Sequence, residues 1–503
     1  MVTLIFSDVQ RATQVIDDSA LAVVIEEKIN AHRPKSGRPR ELSVRTLLIA
    51  LLLLSETGTM HLSRVPALLN SLDKKTKTSL GITRKGGVTR RQVERLYNVI
   101  AAAFDSHGIE SFDEFCDTLL VATLDKSSAN TSSIAIDGTS IDSWGTRRRV
   151  YDANGVMSYR SSDPDAAWRA KSKDNPWKRP VFGYDLTVAV TVADINGPDV
   201  ALGARSMRFR AANQHVMASA RAVVKEVARQ QGVLGDVLMD REYTMKNDGS
   251  DLILPIRALG GEPVFQLTKT QSGVVGTTHG ALIIDGQPFS PSCPQGLRKL
   301  VAPAANAPYA VIAQYKADVA ARSKYALVKH GSRKANGSQV YQCPASVGNL
   351  KCALVASSMR LPATVLPAVL APKTAAANSV CSKRYTTFQA TDLPLSQRDL
   401  YGSEEWFKSS ARRNRIEGLF GNLKNEATEN VKRGTIRVRG LIKMGILVAF
   451  GVASANLRLQ KSFKKRSTTP VKPKRGRPKK QGVAAYAHVF ASDANSNAPP
   501  QVA

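Results

Sequence analysis

The chain has 503 residues, enough for more than one domain, and its 43% hydrophobic content excludes a wholly disordered polypeptide. Its 71 lysines and arginines against 41 acids leave +30 at neutral pH, far beyond what solubility requires. Such an excess favours a polyanionic partner, nucleic acid ahead of an anionic membrane. The longest apolar run, residues 47–54, spans eight residues against the ~20 that a bilayer needs. No signal-peptide pattern is evident and five cysteines make no disulfide framework, so a cytosolic protein is expected.

Residues 1–130 read as mainly helical. KSGRPRELSVRTLLIALLLL (35–54) passes from a basic turn into an apolar helix. GVTRRQVERLYNVIAAAF (87–104) opens with a capping box, Thr89 and Gln92, ahead of an apolar face of Val93, Leu96, Tyr97 and Ile100. Arg90, Arg91 and Arg95 crowd its first turns, which suits entry into a DNA groove as well as a solvated basic face. A short strand is expected at 133–137 (SIAID), stopping at the turn-like Gly138-Thr139. GYDLTVAVTVAD (183–194) alternates strictly, with Tyr184, Leu186, Val188, Val190 and Val192 on one face, and predicts a half-buried strand. Residues 200–210 are its expected partner; 215–231 predict an amphipathic helix, and 233–240 a buried strand ending on an acid. This order is an α/β layout.

From about 250 to 380 the texture changes to short strand-like pieces between Gly-, Pro- and Ser-rich turns, a β-rich insertion. A helix over 411–430 and a long apolar helix over 436–459 follow. Residues 458–480 then hold eleven Lys or Arg and no acid. The expected divisions are a helical DNA-binding region (1–130), a core in two parts (131–250 and 381–460) around the insertion (251–380), and a basic unstructured tail (461–503).

The helix at 411–430 (ARRNRIEGLFGNLKNEATEN) has an unusual surface. At about 100° per residue, Arg413, Glu417 and Lys424 fall within an arc of roughly 40°, beside an apolar face of Ile416, Leu419, Phe420 and Leu423. Gly418 and Gly421 each cost such a helix about 1 kcal/mol relative to alanine. Something near that face needs the room.

Three acids stand out by placement: Asp137 after the first apolar strand, Asp240 at the end of the last strand before the insertion, and Glu417 on the later helix. Ligands usually bind at the strand ends of an α/β sheet. Three convergent carboxylates make a hard, oxygen-rich site for Mg²⁺ or Mn²⁺, and two such ions about 3.5–4 Å apart suit phosphodiester cleavage. Asp142 and Asp236 are nearby alternatives to the two aspartates. Arg413 and Lys424 then read as phosphate contacts, one planar and bidentate, the other a point charge. Arg241 and Tyr243, just past Asp240, are further candidates for touching the cut strand, with a structural role for Tyr243 an equal alternative.

The spacing R-x3-E-x6-K of Arg413, Glu417 and Lys424 resembles the signature of bacterial insertion-sequence DDE transposases, whose fuller form is Y-x2-R-x3-E-x6-K. AIDGTS around Asp137 and MDREY around Asp240 are similar to that family's first two acid motifs. So are SSDPDAAW (161–168) with FGYDL (182–186), and YGSEEW (401–406). The similarity runs over residues 35–460 in motif order. It departs at one place: Ser410 stands where the signature has tyrosine, with Tyr401 and Trp406 as substitutes or, more simply, core residues.

The resemblance implies a ribonuclease H-like mixed sheet with flanking helices, interrupted by a β-rich insertion domain. It also implies two Mg²⁺ or Mn²⁺ ions held by Asp137, Asp240 and Glu417, cleavage at element ends, and strand transfer into target DNA. A homodimer or higher assembly on double-stranded DNA, in a bacterial cytoplasm beside the nucleoid, follows from the same likeness. The rival expectations are a ribonuclease H-like nuclease without strand transfer and an inactive architectural DNA binder.

In the tail, Lys474-Arg475-Gly476-Arg477-Pro478 resembles an AT-hook, whose arginines lie in a narrow A·T minor groove. Cys293, Cys343, Cys352 and Cys381 lack a CxxC pair, so thiols rather than a zinc site are expected. No Walker lysine loop, HExxH or Ser/His/Asp motif is present.

Overall fold

The computed structural model describes residues 6–31, 40–83, 85–169, 180–214, 216–304, 306–334, 336–360, 366–369 and 379–468. The chain forms two compact units, Met1–Gly232 with Asn414–Val471 and, for the second, Val233–Arg413. The first unit opens with helices α1 (Phe6–Asp18), α2 (Leu21–Ala31), α3 (Val44–Glu56), α4 (Val65–Ser71), α5 (Lys74–Ser79), α6 (Arg90–His107) and α7 (Ile109–Ala122). Strands β1 (Ile134–Asp142), β2 (Arg147–Tyr151), β3 (Met157–Ser161), β4 (Ala167–Arg169), β5 (Val181–Thr191) and β6 (Ala204–Ala211) follow, then α8 (Val216–Gln231).

The second unit begins with β7 (Asp236–Met239), α9 (Ile253–Ala258) and β8 (Glu262–Phe265). It continues through β9 (Val274–Thr278), β10 (Ala281–Ile284), β11 (Gln287–Phe289), α10 (Tyr309–Ser323), β12 (Val328–His330) and β13 (Gln339–Gln342). Next come β14 (Lys351–Cys352), α11 (Ala356–Met359), β15 (Ala368–Val369), β16 (Tyr385–Phe388) and α12 (Glu404–Ala411). The chain then returns to the first unit with α13 (Arg415–Lys424) and α14 (Leu441–Thr468). The fold is mixed α/β.

In the first unit β5 is central. It pairs antiparallel with β1, placing Asp137 opposite Val188, and on its other edge with β6 and β4. α8 packs on β1, β5 and β6, while α7 and α14 pack on β6. The expected half-buried β5 is therefore buried along both faces: Thr187 and Thr191 are as enclosed as Val188. Its polar face is satisfied internally, with the Thr191 hydroxyl donating to Ala201 O at 2.8 Å and Asp185 accepting from Ser140 Oγ at 3.0 Å and Arg169 at 2.7 Å. β1 also departs from expectation. It does not stop at Asp137, because its pairing with β5 carries it on to Asp142.

The helices follow local chemistry. Ser43 caps α3 by accepting from Thr46 N, and every residue from Leu47 to Ser55 is buried, the mark of an interior helix. α6 begins with the expected capping box at Thr89 and Gln92, and buries Val93, Leu96, Tyr97 and Ile100. α14 starts later than expected and runs beyond residue 461, to Thr468. It is long and apolar enough to cross a membrane by composition, yet 83% of its apolar stretch is buried inside the protein. It packs against α3, α6, α7 and β6, so the amino-terminal helices share one compact unit with the sheet. A Cβ at Gly445 would lie 2.6 Å from Phe112 Cζ, so this helix needs a glycine where it meets α7.

The second unit pairs β7 and β8 in parallel. Beyond them lie small sheets in the orders β11-β10-β9, β12-β13-β16 and β14-β15, which match the expected β-rich texture, together with an unanticipated helix, α10.

Candidate functional site

Asp137 sits in mid-strand, where β1 changes from its buried inner half (Ile134, Ala135, Ile136) to a more open one. Its Oδ1 accepts from Gly138 N at 2.8 Å. α13 packs on β1. The Lys424 ammonium, on the last residue of α13, donates to Thr139 Oγ1 and, at 3.0 Å, to Ser140 O. The helix that carries Glu417 is thereby tied to the strand that carries Asp137. Glu417 precedes Lys424 by seven residues, about two turns, so both occupy one face of α13 roughly 10 Å apart along the axis.

That face is open. Glu417, Gly418 and Gly421 are exposed, while Ile416, Leu419 and Leu423 are buried on the opposite side. A Cβ at Gly421 would meet nothing within 4 Å, and one at Gly418 only Leu202 Cδ2 at 3.9 Å. Neither glycine has a positive φ. No backbone strain or internal packing among the described residues calls for either.

In the second unit, Asp240 directly follows β7 and caps the 3₁₀ turn Arg241–Thr244, accepting from Arg241 N at 2.7 Å. Arg413 lies 3.6 Å from its other oxygen, as a charge contact rather than a hydrogen bond. Asp236 is a different kind of acid. It is buried and held by Arg398 at 2.7 and 3.1 Å and by Arg412. Of the two acids on this segment, Asp236 is a structural anchor, whereas the Asp240 side chain keeps 37% of its surface in solvent.

Two sequence expectations need correction. Arg413 does not share a helix with Glu417: the 3₁₀ turn Arg412–Asn414 separates α12 from α13, so the three-charge stripe reduces to Glu417 and Lys424. Tyr243, in the 3₁₀ turn after Asp240, is 1% exposed and so has no surface to offer DNA. Lys424 bonds to β1, so it positions the helix as well as adding charge. Arg241 is exposed, as are Arg90 and Arg91, and Arg90 pairs with Glu94 at 2.7 Å. Arg475 and Arg477 lie outside the described residues.

The motif SSDPDAAW earns its place through Asp163. Fully buried, this carboxylate accepts from Tyr184 OH at 2.7 Å, Gly440 N at 3.0 Å and Ser143 Oγ, joining β5, the start of α14 and the segment after β1. Burial and that carboxylate push the Tyr184 hydroxyl far above its ordinary value, keeping it a donor. Trp406 is likewise structural: it is 2% exposed and donates to Gln397 Oε1 at 3.0 Å, with Tyr401 packed on its ring. Ser410 is buried too. Among the cysteines, burial raises the thiols of Cys293, Cys343 and Cys381, and all five are free thiols.

One basic feature escaped the sequence reading. A cleft of the first unit is lined by Glu94, Asn98, Trp144, Arg437, Arg439 and Lys443, with the Arg437 guanidinium 5.2 Å over the Trp144 ring. Burial and the charges of Arg437 and Arg64 hold the His61 imidazole below its usual value. The cleft's three cations come from one short stretch, 437–443, and the fold brings Glu94, Asn98 and Trp144 to them from distant parts of the chain.

Among the described residues, no three His, Cys, Asp or Glu side chains form a metal-ligand cluster. The carboxylates of Asp137, Asp240 and Glu417 are each reached by solvent and are hard oxygen donors of the kind that Mg²⁺ or Mn²⁺ takes, in contrast to the arginine-locked Asp236. No protein-family model matches the chain, and no curated protein matches it.

Proposed function

We propose that the chain is a DDE-type DNA transposase built on a ribonuclease H-like core, which cuts double-stranded DNA at element ends and joins it to target DNA. The observation that carries this reading is the open face of α13. It presents a carboxylate, two glycines that no described residue requires, and a lysine fastened beside the strand of Asp137. A phosphodiester backbone has the shape and charge to use that room, and the +30 chain supplies the attraction.

Asp137, Asp240 and Glu417 would hold Mg²⁺ or Mn²⁺, which when bound lowers the cost of charge building on the attacking and leaving oxygens. The chain's own groups do the rest. Lys424 sets the height of α13 on β1 and offers positive charge near the substrate phosphate. Arg413, beside Asp240, tempers that acid's charge and can grip a phosphate with its planar guanidinium. Arg241 extends the positive surface past Asp240. A dimer or higher assembly, with each copy serving one element end, belongs to the same proposal.

The test is Glu417→Gln with DNA taken from the flanks of the reading frame. Mg²⁺-dependent nicking is expected to vanish while end binding stays near wild type. Parallel loss of binding and nicking would sink the ligand role. Precleaved ends and a target plasmid separate a transposase, which gives joined products, from a nuclease, which does not.

A further inference from the structure

The segment from Arg147 to Ser161 stands apart from the sheet beside it. Among the described residues β2 and β3 pair only with each other, as a two-stranded antiparallel ribbon. Its turn is well built: Asp152 Oδ1 accepts from Asn154 N at 2.9 Å and Val156 N at 2.8 Å, and Gly155 takes the positive φ of 73° that closes it. An isolated two-stranded ribbon is marginal by itself, so good turn chemistry matters here.

The charges on this ribbon are placed against its own stability. Arg148 lies directly opposite Arg160 in the register, and like charges at facing positions destabilise an antiparallel pair. Arg148, Arg149 and Arg160 are exposed, and no carboxylate pairs with any of them among the described residues. The one acid in the segment, Asp152, is engaged by the turn amides. Tyr151, Val156 and Met157 at the tip are also exposed. An arrangement that repels itself when alone is explained by an anionic partner that draws both arginines together.

The geometry points to the β2–β3 ribbon as a duplex-DNA contact that enters the major groove, a role resting on the transposase reading above. Two strands about 4.8 Å apart, over five residue pairs spanning about 17 Å, suit a groove about 12 Å wide and about 8.5 Å deep. Arginines on such a ribbon reach phosphates or the O6 and N7 of guanine in a fork, and the apolar tip can touch thymine methyls. An anionic membrane fits less well, because Asp152 and Asn154 occupy the leading edge that would have to enter lipid.

The experiment uses the full chain with Arg148→Ser and Arg160→Ser combined, titrated by anisotropy against a random-sequence duplex over a range of salt. Affinity at low salt is expected to fall roughly tenfold, and the slope of log affinity against log salt to drop by about 2, near 0.9 for each phosphate that the variant no longer neutralises. The thermal midpoint should hold or rise, since a repulsive pair is gone. Lys383→Ser with Arg384→Ser removes equal charge from the second unit and should do much less. Unchanged duplex binding, an equal effect from that control, or a loss confined to phosphatidylserine vesicles would overturn the assignment. If the wild type cuts DNA and the ribbon variant binds it normally, only the ribbon role fails. If the wild type does not bind duplex DNA, the transposase reading fails with it.

Discussion

Alanine at Gly421 and alanine at Gly445 are the same chemical change on two helices of one unit, and they should move stability in opposite directions. At Gly421 the added methyl enters empty space, with nothing within 4 Å and no positive φ to relieve. The gain is then the helix-propensity difference, about 0.5–1 kcal/mol, with the lower end favoured because Gly421 lies near the end of a ten-residue helix. At Gly445 the methyl meets Phe112 Cζ at 2.6 Å and Phe209 Cδ1 at 3.0 Å, so overpacking should cost about 1–3 kcal/mol. Urea unfolding reads both. The functional consequence separates the sites further. If the room at Gly421 serves a DNA backbone, the methyl displaces it by about 1 Å, and misplacement of that order costs on the order of 10²-fold in rate. Gly421→Ala should therefore be more stable than wild type and much slower in Mg²⁺-dependent nicking. A stabilised Gly421→Ala that cuts at the wild-type rate would refute the reasoning, for the glycine would then have no ligand to explain it.

The two acids of the β7 segment should part company under the same substitution. Asp236→Asn strips two arginines of their buried partner and should cost about 3–5 kcal/mol in urea unfolding, whereas Asp240→Asn should leave stability nearly unchanged and stop nicking. Equal destabilisation by both would remove the distinction between anchor and ligand. A pH effect follows from Asp125. Although burial raises this carboxyl, hydrogen bonds from Ser127, Gln460 and Lys464 hold it at about 2, below its ordinary 3.8. A lowered acid stabilises the fold above its unfolded value and loses that contribution as pH falls through the folded one. The stability gap between wild type and Asp125→Asn should thus be full at neutral pH and shrink from about pH 4 towards pH 2, and a gap that does not vary with pH would contradict it.

What could be read from the residues alone was whatever neighbours in the chain decide. The alternation at 183–194 marks β5, the Thr89–Gln92 box starts α6, and the apolar run before Asp240 ends where β7 ends, because strand parity, capping and short-range burial are local properties. Asp137 and Glu417 also stand out by local placement, one after an apolar run and the other on a helix with an exposed charged face. The tertiary structure decided the rest. β1 continues past Asp137 because β5 offers it partners, and β5 is sealed on both faces by elements that the alternation cannot reveal. The break at Arg412–Asn414 follows no glycine or proline; two arginines there turn towards Asp236 and Asp240, some 170 residues earlier in the chain. Tyr243 looked like a polar neighbour of an acid until a single turn buried its ring. Lys424 looked like a surface charge until it met Thr139 and Ser140. A residue's type and spacing state which interactions it can make, and only the packing of distant segments selects among them.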